Sequence, residues 1–328
     1  MTYSFSQRIR PYLPIPEKPT VGFIFGTCAL AEVVLVLLWQ VIPQSDLVWT
    51  KTSLIGFSII TVFRLMTSLL LPLVFFISRY SLEDRRVYGI NPGFGAIIHS
   101  ILAGFPAMLL FVSIHNLSAR FIILRGIPVP QPAIYCTTLD ASKEASVLFF
   151  IIGAVLPILL EELFFRGLLT AVLPVSILNA KGYIWIAFLF AVYLLNPVDF
   201  IAYFLLGILL GFIRHDLDNV FCCVLTRLSM VGSYLLFRSL MPYLDTTVIR
   251  TEADIDPTVL YIALTALIMG TLILIPILSQ IRRIAGYLRL ERMDETPREV
   301  VPIRSHVGWS YWIGLLFFAG LWVLTLGI

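Results

Sequence analysis

The chain has 328 residues, of which 59% are hydrophobic and only 13% are charged. A soluble globular protein carries about 25% charged residues, so this composition excludes a water-soluble globular fold and requires a surface that faces lipid. The formal net charge of +3 gives no indication of nucleic-acid binding. At about 20 apolar residues per span, the chain is predicted to be all-α, a polytopic transmembrane helix bundle of about eight or nine spans.

The predicted spans are runs of apolar residues long enough to cross a bilayer. They lie at residues 20–43, 53–78, 94–118, 145–165, 183–196, 199–214, 219–240, 257–280 and 308–328. The polar, Pro-rich segment before the first span has no small-residue cleavage pattern, so we expect that span to be retained. The predicted units are the N-terminal helices at 1–144, a core at 145–240 and the C-terminal helices at 241–328.

The distribution of Lys and Arg predicts the orientation of the bundle. Cytoplasmic loops carry an excess of these residues, and the count favours a cytoplasmic N-terminus in a bacterial-type inner membrane. Residues 281–295 interleave apolar residues with arginines, which fits a helix lying at the inner interface or a plain cytoplasmic linker. Residues 119–144 contain three prolines and are predicted to form an outer loop.

The strongest cluster of ionisable residues is Glu161-Glu162-Leu163-Phe164-Phe165-Arg166, inside an apolar run. Intramembrane charges are costly, so each is a functional candidate. Glu162 and Arg166 are four residues apart and can pair on one helix face, whereas Glu161 is rotated by about 100° and can point into a cavity. A buried carboxylate beside a second one can serve as a general base. The alternative is a buried ion pair that fixes helix packing.

Two motifs in this region resemble a known family. Glu161, Glu162 and Arg166 form the EExxxR pattern, and Phe204, Gly207 and Gly211 form FxxGxxxG two helices later. Together they resemble the CAAX prenyl protease and bacteriocin-immunity family of intramembrane endopeptidases. The resemblance implies that Glu161 is the catalytic base, with Glu162 and Arg166 in supporting roles. It also implies a His that helps to activate water, and a later His and Asn that hold the oxyanion.

The chain departs from the family pattern at all three of these last positions. The family's Phe-x-x-x-His reads Phe190 to Leu194 here, so Leu194 stands where the first His belongs. The later His and Asn fall on Arg227 and Val231. Since a cation in an apolar helix needs a counter-charge, we predict that Arg227 pairs with Glu161. Such a pair would keep Glu161 ionised and act as a structural lock.

Other polar residues could substitute for the missing histidines. Asn196 lies two residues beyond the expected His but is a poor base, whereas His215 fits an interfacial loop and His99 a satisfied core histidine. Glu32 and Arg64, in the first two spans, are predicted to pair with each other across helices rather than to serve transport.

Three functions remain open from the sequence. The first is an active, glutamate-dependent intramembrane endopeptidase. The second, which the missing histidines favour, is a relative with lost or altered proteolytic activity that binds another membrane protein or a lipidated peptide. The third is a small-solute transporter, although no matching interrupted helices occur in two halves. We expect no cofactor and no metal, because neither the four cysteines nor the histidines have metal-ligand spacing.

Overall fold

A computed structural model describes most of the chain. It covers residues 19–41, 54–80, 82, 84–124, 147, 150–173, 180–194, 196, 198–240, 257–290 and 308–326. Within these residues the regular structure is helical, apart from one isolated bridge between Gly89 and Asn219. The predicted all-α class is therefore confirmed.

The described part of the chain forms ten helices. In chain order the unbroken helices are α1 (Val21–Val41), α3 (Asp84–Tyr88), α4 (Phe94–Ile123), α6 (Ala180–Tyr193), α7 (Phe200–Leu217), α8 (Val220–Leu240), α9 (Pro257–Leu290) and α10 (Trp309–Leu326). Two helices contain wider π-helical turns: α2 comprises Leu54–Leu65, Met66–Leu70 and Leu71–Tyr80, and α5 comprises Ile151–Val155, Leu156–Glu162, Leu163–Leu168 and Leu169–Val172.

Five described helices are long and apolar enough to cross a membrane. They are Thr61–Tyr80, Phe94–Ile123, Phe200–Leu217, Val220–Phe237 and Pro257–Tyr287. Three shorter apolar helices accompany them, at Val21–Leu35, Lys181–Tyr193 and Trp309–Trp322. The predicted count of eight or nine spans is not confirmed, since the short helices and the charged α5 do not meet the same criterion of length and composition.

Helix α9 has an apolar outer surface that is suited to contact lipid. Its outer side exposes large apolar residues such as Tyr261, Ile268 and Leu272. At about 1.5 Å per residue its 34 residues span about 51 Å, well beyond a hydrocarbon core of about 30 Å. Its arginine-bearing end therefore protrudes from the hydrocarbon. Residues 281–290 of the predicted interfacial segment continue α9 without a break, and residues 291–295 lie outside the described part.

Helices α6 and α7 approach each other closely because α7 presents glycine. A Cβ placed on Gly207 would lie 2.8 Å from Cβ of Ala187, and one on Gly211 would lie 3.0 Å from Cβ of Tyr183. Contacts below 3 Å are not tolerated without movement, so only glycine fits at position 207. The glycines of FxxGxxxG therefore allow the close approach of α6 and α7.

Replacing Gly207 by Ala tests this packing. We expect the substitution to lower the free energy of unfolding by about 1–3 kcal/mol, because overpacking forces the two helices apart. Gly232→Ala in α8 is the matched control, since no heavy atom lies within 4 Å of a Cβ at that position. Ala has the higher helix propensity, so the control should keep or slightly raise the melting temperature measured in detergent. Equal melting temperatures for the two variants would contradict the packing argument.

Candidate functional site

Helix α5 is the helix that places the polar motif in the middle of the bundle. Its last two turns are almost completely buried, and it contacts helices α1, α2, α3, α6 and α8. The pair Glu161–Glu162 ends a regular α-helical stretch, and a π-helical turn begins at Leu163. Such turns are rare and are frequent at functional sites.

Four buried charged residues form one connected group, which we call the central cluster: Glu161, Glu162, Arg166 and Arg227. Arg227 Nη1 on α8 donates to Glu161 Oε2 at 2.7 Å and to Glu162 Oε1 at 2.9 Å. Arg166 Nη1 donates to the same Glu162 oxygen at 3.1 Å. All four side chains are at most 7% exposed. Two carboxylates thus face two guanidinium groups, and their formal charges cancel.

The pairs expected from the sequence are therefore present, together with one that was not expected. Glu162 pairs with Arg166 as its four-residue spacing predicts, and the Glu161–Arg227 pair is confirmed. Sequence reasoning missed that Arg227 also binds Glu162 and so links all four residues. That link depends on the rotation of α8 against α5, which spacing along either helix cannot give.

Phe190 on α6 lies against both arginines of the central cluster. The guanidinium carbon of Arg166 is 4.2 Å from the centre of the Phe190 ring, and that of Arg227 is 5.1 Å away. Contacts of this kind stabilise a desolvated cation by about 2 kcal/mol. Phe190, the Phe of the family's Phe-x-x-x-His pattern, therefore packs directly on the charged residues Arg166 and Arg227.

Arg214 supports the cluster from α7. Its Nε donates to the backbone carbonyl of Arg166 at 3.0 Å, its Nη2 to the carbonyl of Arg86 at 3.0 Å, and its Nη1 to Asp218 at 2.6 Å. In the sequence, Arg214 is the last residue of the predicted span 199–214, a position typical of a cation at the membrane interface. It is instead 4% exposed and joins α5 and the segment around α3 to α7.

Comparison with known families identifies the proteins that this region resembles. Residues 143–232 match the family model described as Rce1-like, type II CAAX prenyl endopeptidase Rce1-like. This region is similar to that family, and we call it the Rce1-like domain. The resemblance predicted from the two motifs is confirmed for this region, and the apolar helices around it are those of an integral membrane protein. No curated protein and no solved structure matches the chain.

Two apolar residues in the Rce1-like domain stand where the resemblance expects a His and an Asn. Leu194 follows Phe190 by one helical turn, and its backbone N–H donates to the Phe190 carbonyl at 3.3 Å. Val231, one turn beyond Arg227, is buried in an apolar group with Ile158 of α5. Neither side chain can accept or donate a proton.

The polar residues considered as substitutes are engaged elsewhere. Asn196 donates to Asp199 at 2.6 Å and accepts from the backbone N–H groups of residues 198 and 199, so it shapes the turn before α7. Nδ1 of His99 lies 2.7 Å from the carbonyl oxygen of Gly95 on its own helix. His215, whose side chain is 40% exposed, pairs with Asp216 at the end of α7. The exposure of His215 fits the predicted interfacial position, but the predicted loop is wrong, because His215 lies in the last turn of α7.

Glu32 and Arg64 form the separate ion pair that the sequence predicts. Arg64 Nε lies 3.0 Å from both carboxylate oxygens of Glu32, which joins α1 to α2. The Arg64 guanidinium carbon is 5.6 Å from the ring centre of Tyr193, whose hydroxyl lies 3.2 Å from Ser68 Oγ. This pair therefore packs against the end of α6, next to Leu194.

One buried polar group escaped sequence reasoning. His115 of α4 is 3% exposed and its Nδ1 is hydrogen-bonded to Asp199, the residue before α7. Asp199 also accepts from Asn196, so the three side chains tie α4 to the start of α7. The signal was available, because His115 falls inside the predicted span 94–118, where any ionisable residue is costly.

The central cluster binds charge well but is poorly arranged for hydrolysis. Peptide hydrolysis needs a base that reaches water and donors that reach the developing oxyanion. Here Glu161 accepts from Arg227, and Nη1 of Arg227 already serves two carboxylates. A guanidinium could in principle stabilise an oxyanion, but this nitrogen would have to leave its carboxylates first. The geometry is that of a buried ion-pair network, although Glu162 Oε2 and Arg166 Nε have no hydrogen-bond partner among the described residues.

Proposed function

We propose that this protein is a non-proteolytic relative of the CAAX prenyl endopeptidases, a helical scaffold that binds a membrane protein or a lipidated peptide without cleaving it. The observation that carries the proposal is the bridge from Arg227 to both Glu161 and Glu162, at 2.7 and 2.9 Å. It ties the expected base to a cation that stands where the resemblance places a histidine. We also propose that the N-terminus lies on the cytoplasmic side of a bacterial-type inner membrane, from the Lys and Arg distribution.

The alternatives receive less support from the same geometry. An active glutamate-dependent protease would have to activate water and hold the oxyanion with the central cluster alone. Leu194 replaces the His that would help to activate water, which removes a contribution of about 10²–10⁴-fold for acid–base catalysis. Arg227 and Val231 replace the two groups that would hold the oxyanion, and loss of one such donor costs about 10²–10³-fold. A solute transporter would use charges that line a path, whereas the four charges of the central cluster are paired with one another.

A cleavage assay with a prenylated CAAX peptide tests the proposal. We expect the purified full-length protein to leave the peptide intact over hours, as measured by mass spectrometry, while an active CAAX endopeptidase shortens it under the same conditions. The comparison variant is Glu161→Gln/Arg227→Gln, which keeps the central cluster neutral, and His215→Gln serves as an exposed control. Shortening by the wild type and by His215→Gln, but not by the folded double variant, would establish a working protease.

A further inference from the structure

A groove opens on the side of the bundle away from α5. Helices α4, α7 and α9 line it, and its volume is about 680 Å³, within the range of about 300–1,000 Å³ typical of small-molecule sites. Its wall is formed almost entirely by apolar side chains, including Phe111, Leu209 and Leu274. None of the four residues of the central cluster lines it, so a ligand in this groove would not meet Glu161.

The few hydroxyl groups in the wall are already satisfied by the backbone. Thr271 Oγ1 donates to the carbonyl of residue 267 at 2.8 Å, and Ser279 Oγ donates to the carbonyl of residue 276 at 2.7 Å. Both bonds stay within α9. The wall therefore matches a hydrocarbon chain better than a polar solute, because a polar solute would lose its hydration without gaining these donors.

A single cation stands at one end of the lining. Arg282 is 70% exposed, its guanidinium carbon lies 4.8 Å from the ring centre of Phe212, and its Nε is 3.9 Å from Asp216. That last distance is too long for a hydrogen bond, so the guanidinium keeps donors for another anion. Planar guanidinium groups bind phosphate well because two N–H groups can donate in parallel.

The dimensions fit one leaflet of a bilayer. From Leu267 to Arg282 the α9 side of the groove rises about 22 Å at 1.5 Å per residue, which matches about 20–22 Å for half of a bilayer including its headgroup region. The Lys and Arg distribution puts the Arg282 end on the cytoplasmic side, where anionic lipids attract basic segments. The apolar wall, the cation at one end and the length of the groove therefore all fit a lipid with a hydrocarbon chain and an anionic headgroup.

We propose that this groove holds one acyl chain of an anionic membrane phospholipid, with the lipid phosphate at Arg282. A prenylated peptide is less suited to it, since none of the residues of the central cluster lines the groove. The site is distinct from the central cluster, and it can bind lipid whether or not the protein cleaves peptides.

Native mass spectrometry of the full-length protein in detergent tests the proposal. With phosphatidylglycerol added, we expect one lipid to be retained per chain, and about tenfold weaker retention for phosphatidylcholine and for Arg282→Gln. Arg283→Gln is the matched control, because Arg283 is the exposed neighbour of Arg282 and does not line the groove. It should retain phosphatidylglycerol as the wild type does.

A second variant tests the groove itself. Ile275 lines the groove and is 59% exposed, so Ile275→Trp should fill the space without disturbing the fold and should reduce retention of phosphatidylglycerol. Equal retention of both lipids, or unchanged retention in Arg282→Gln, would overturn the proposal. Displacement of the lipid by a prenylated peptide, with no loss in Arg282→Gln, would assign the groove to the peptide instead.

Discussion

Replacing Arg227 by Gln is expected to lower the melting temperature by about 10 °C or to prevent folding. The substitution leaves two buried carboxylates with Arg166 as the remaining guanidinium of the central cluster, so one negative charge is uncompensated. Removing one partner of a buried ion pair costs about 3–5 kcal/mol, and each kcal/mol shifts the melting temperature by about 2–4 °C in a chain of moderate size. Size-exclusion chromatography after heating in detergent measures the loss.

The double variant Glu161→Gln/Arg227→Gln separates charge balance from lost contacts. Glu161→Gln alone leaves the central cluster with one excess positive charge, whereas the double variant leaves the neutral Glu162–Arg166 pair. The double variant should therefore melt closer to the wild type than either single variant, with an interaction energy of about 0.5–3 kcal/mol. Additive losses would show that the bridge contributes little. A charge reversal is less clean, because a carboxylate at position 227 would face Glu162, whose Oε1 now lies 2.9 Å from Arg227 Nη1.

The parts of this structure that follow local rules could be predicted from sequence. Apolar run length located most helices to within a few residues. The exceptions are α4, α5 and α9, which end five, seven and ten residues beyond their predicted ends, and the short α3, which no apolar run predicted. The four-residue spacing gave the Glu162–Arg166 pair. The need of a buried cation for a counter-charge gave Glu161–Arg227 and Glu32–Arg64. In each case a charge buried in an apolar helix needs an opposite charge nearby, and the sequence offers few such partners.

The remaining features depend on how helices face one another. Arg214 lies in the last turn of an apolar helix, just before a polar turn, so nothing in its local sequence shows that the carbonyls of Arg86 and Arg166 converge on it. The His115–Asp199 bond joins residues 84 positions apart. The double role of Arg227 needs α5 and α8 in one particular rotation. Sequence periodicity predicts which face of a helix is buried, but the packing of the helices determines which residues that face contacts.

Restoring the family residues should lower the stability of the protein and give it peptide-cleaving activity. The triple variant Leu194→His/Arg227→His/Val231→Asn supplies the imidazoles and the amide that the resemblance assigns to water activation and the oxyanion. It also removes one cation, so the central cluster again has a carboxylate in excess that can take a proton from water. We expect a lower melting temperature, together with shortening of a prenylated CAAX peptide at least about tenfold above the wild-type background, since acid–base catalysis alone contributes about 10²–10⁴-fold.

Two controls make this result specific. The triple variant with Glu161→Gln should lose the activity, because the restored imidazoles would have no carboxylate base to work with. Arg227→His alone should be destabilised yet inactive, because Leu194 still occupies the position next to Phe190. A folded triple variant without cleavage would mean that the scaffold no longer brings a peptide to Glu161, and the loss of function would then lie in substrate access rather than in the three replaced residues. If the triple variant were as stable as the wild type, the argument that the two carboxylates need two guanidinium groups would be wrong. Helix α5 would then tolerate an uncompensated buried carboxylate.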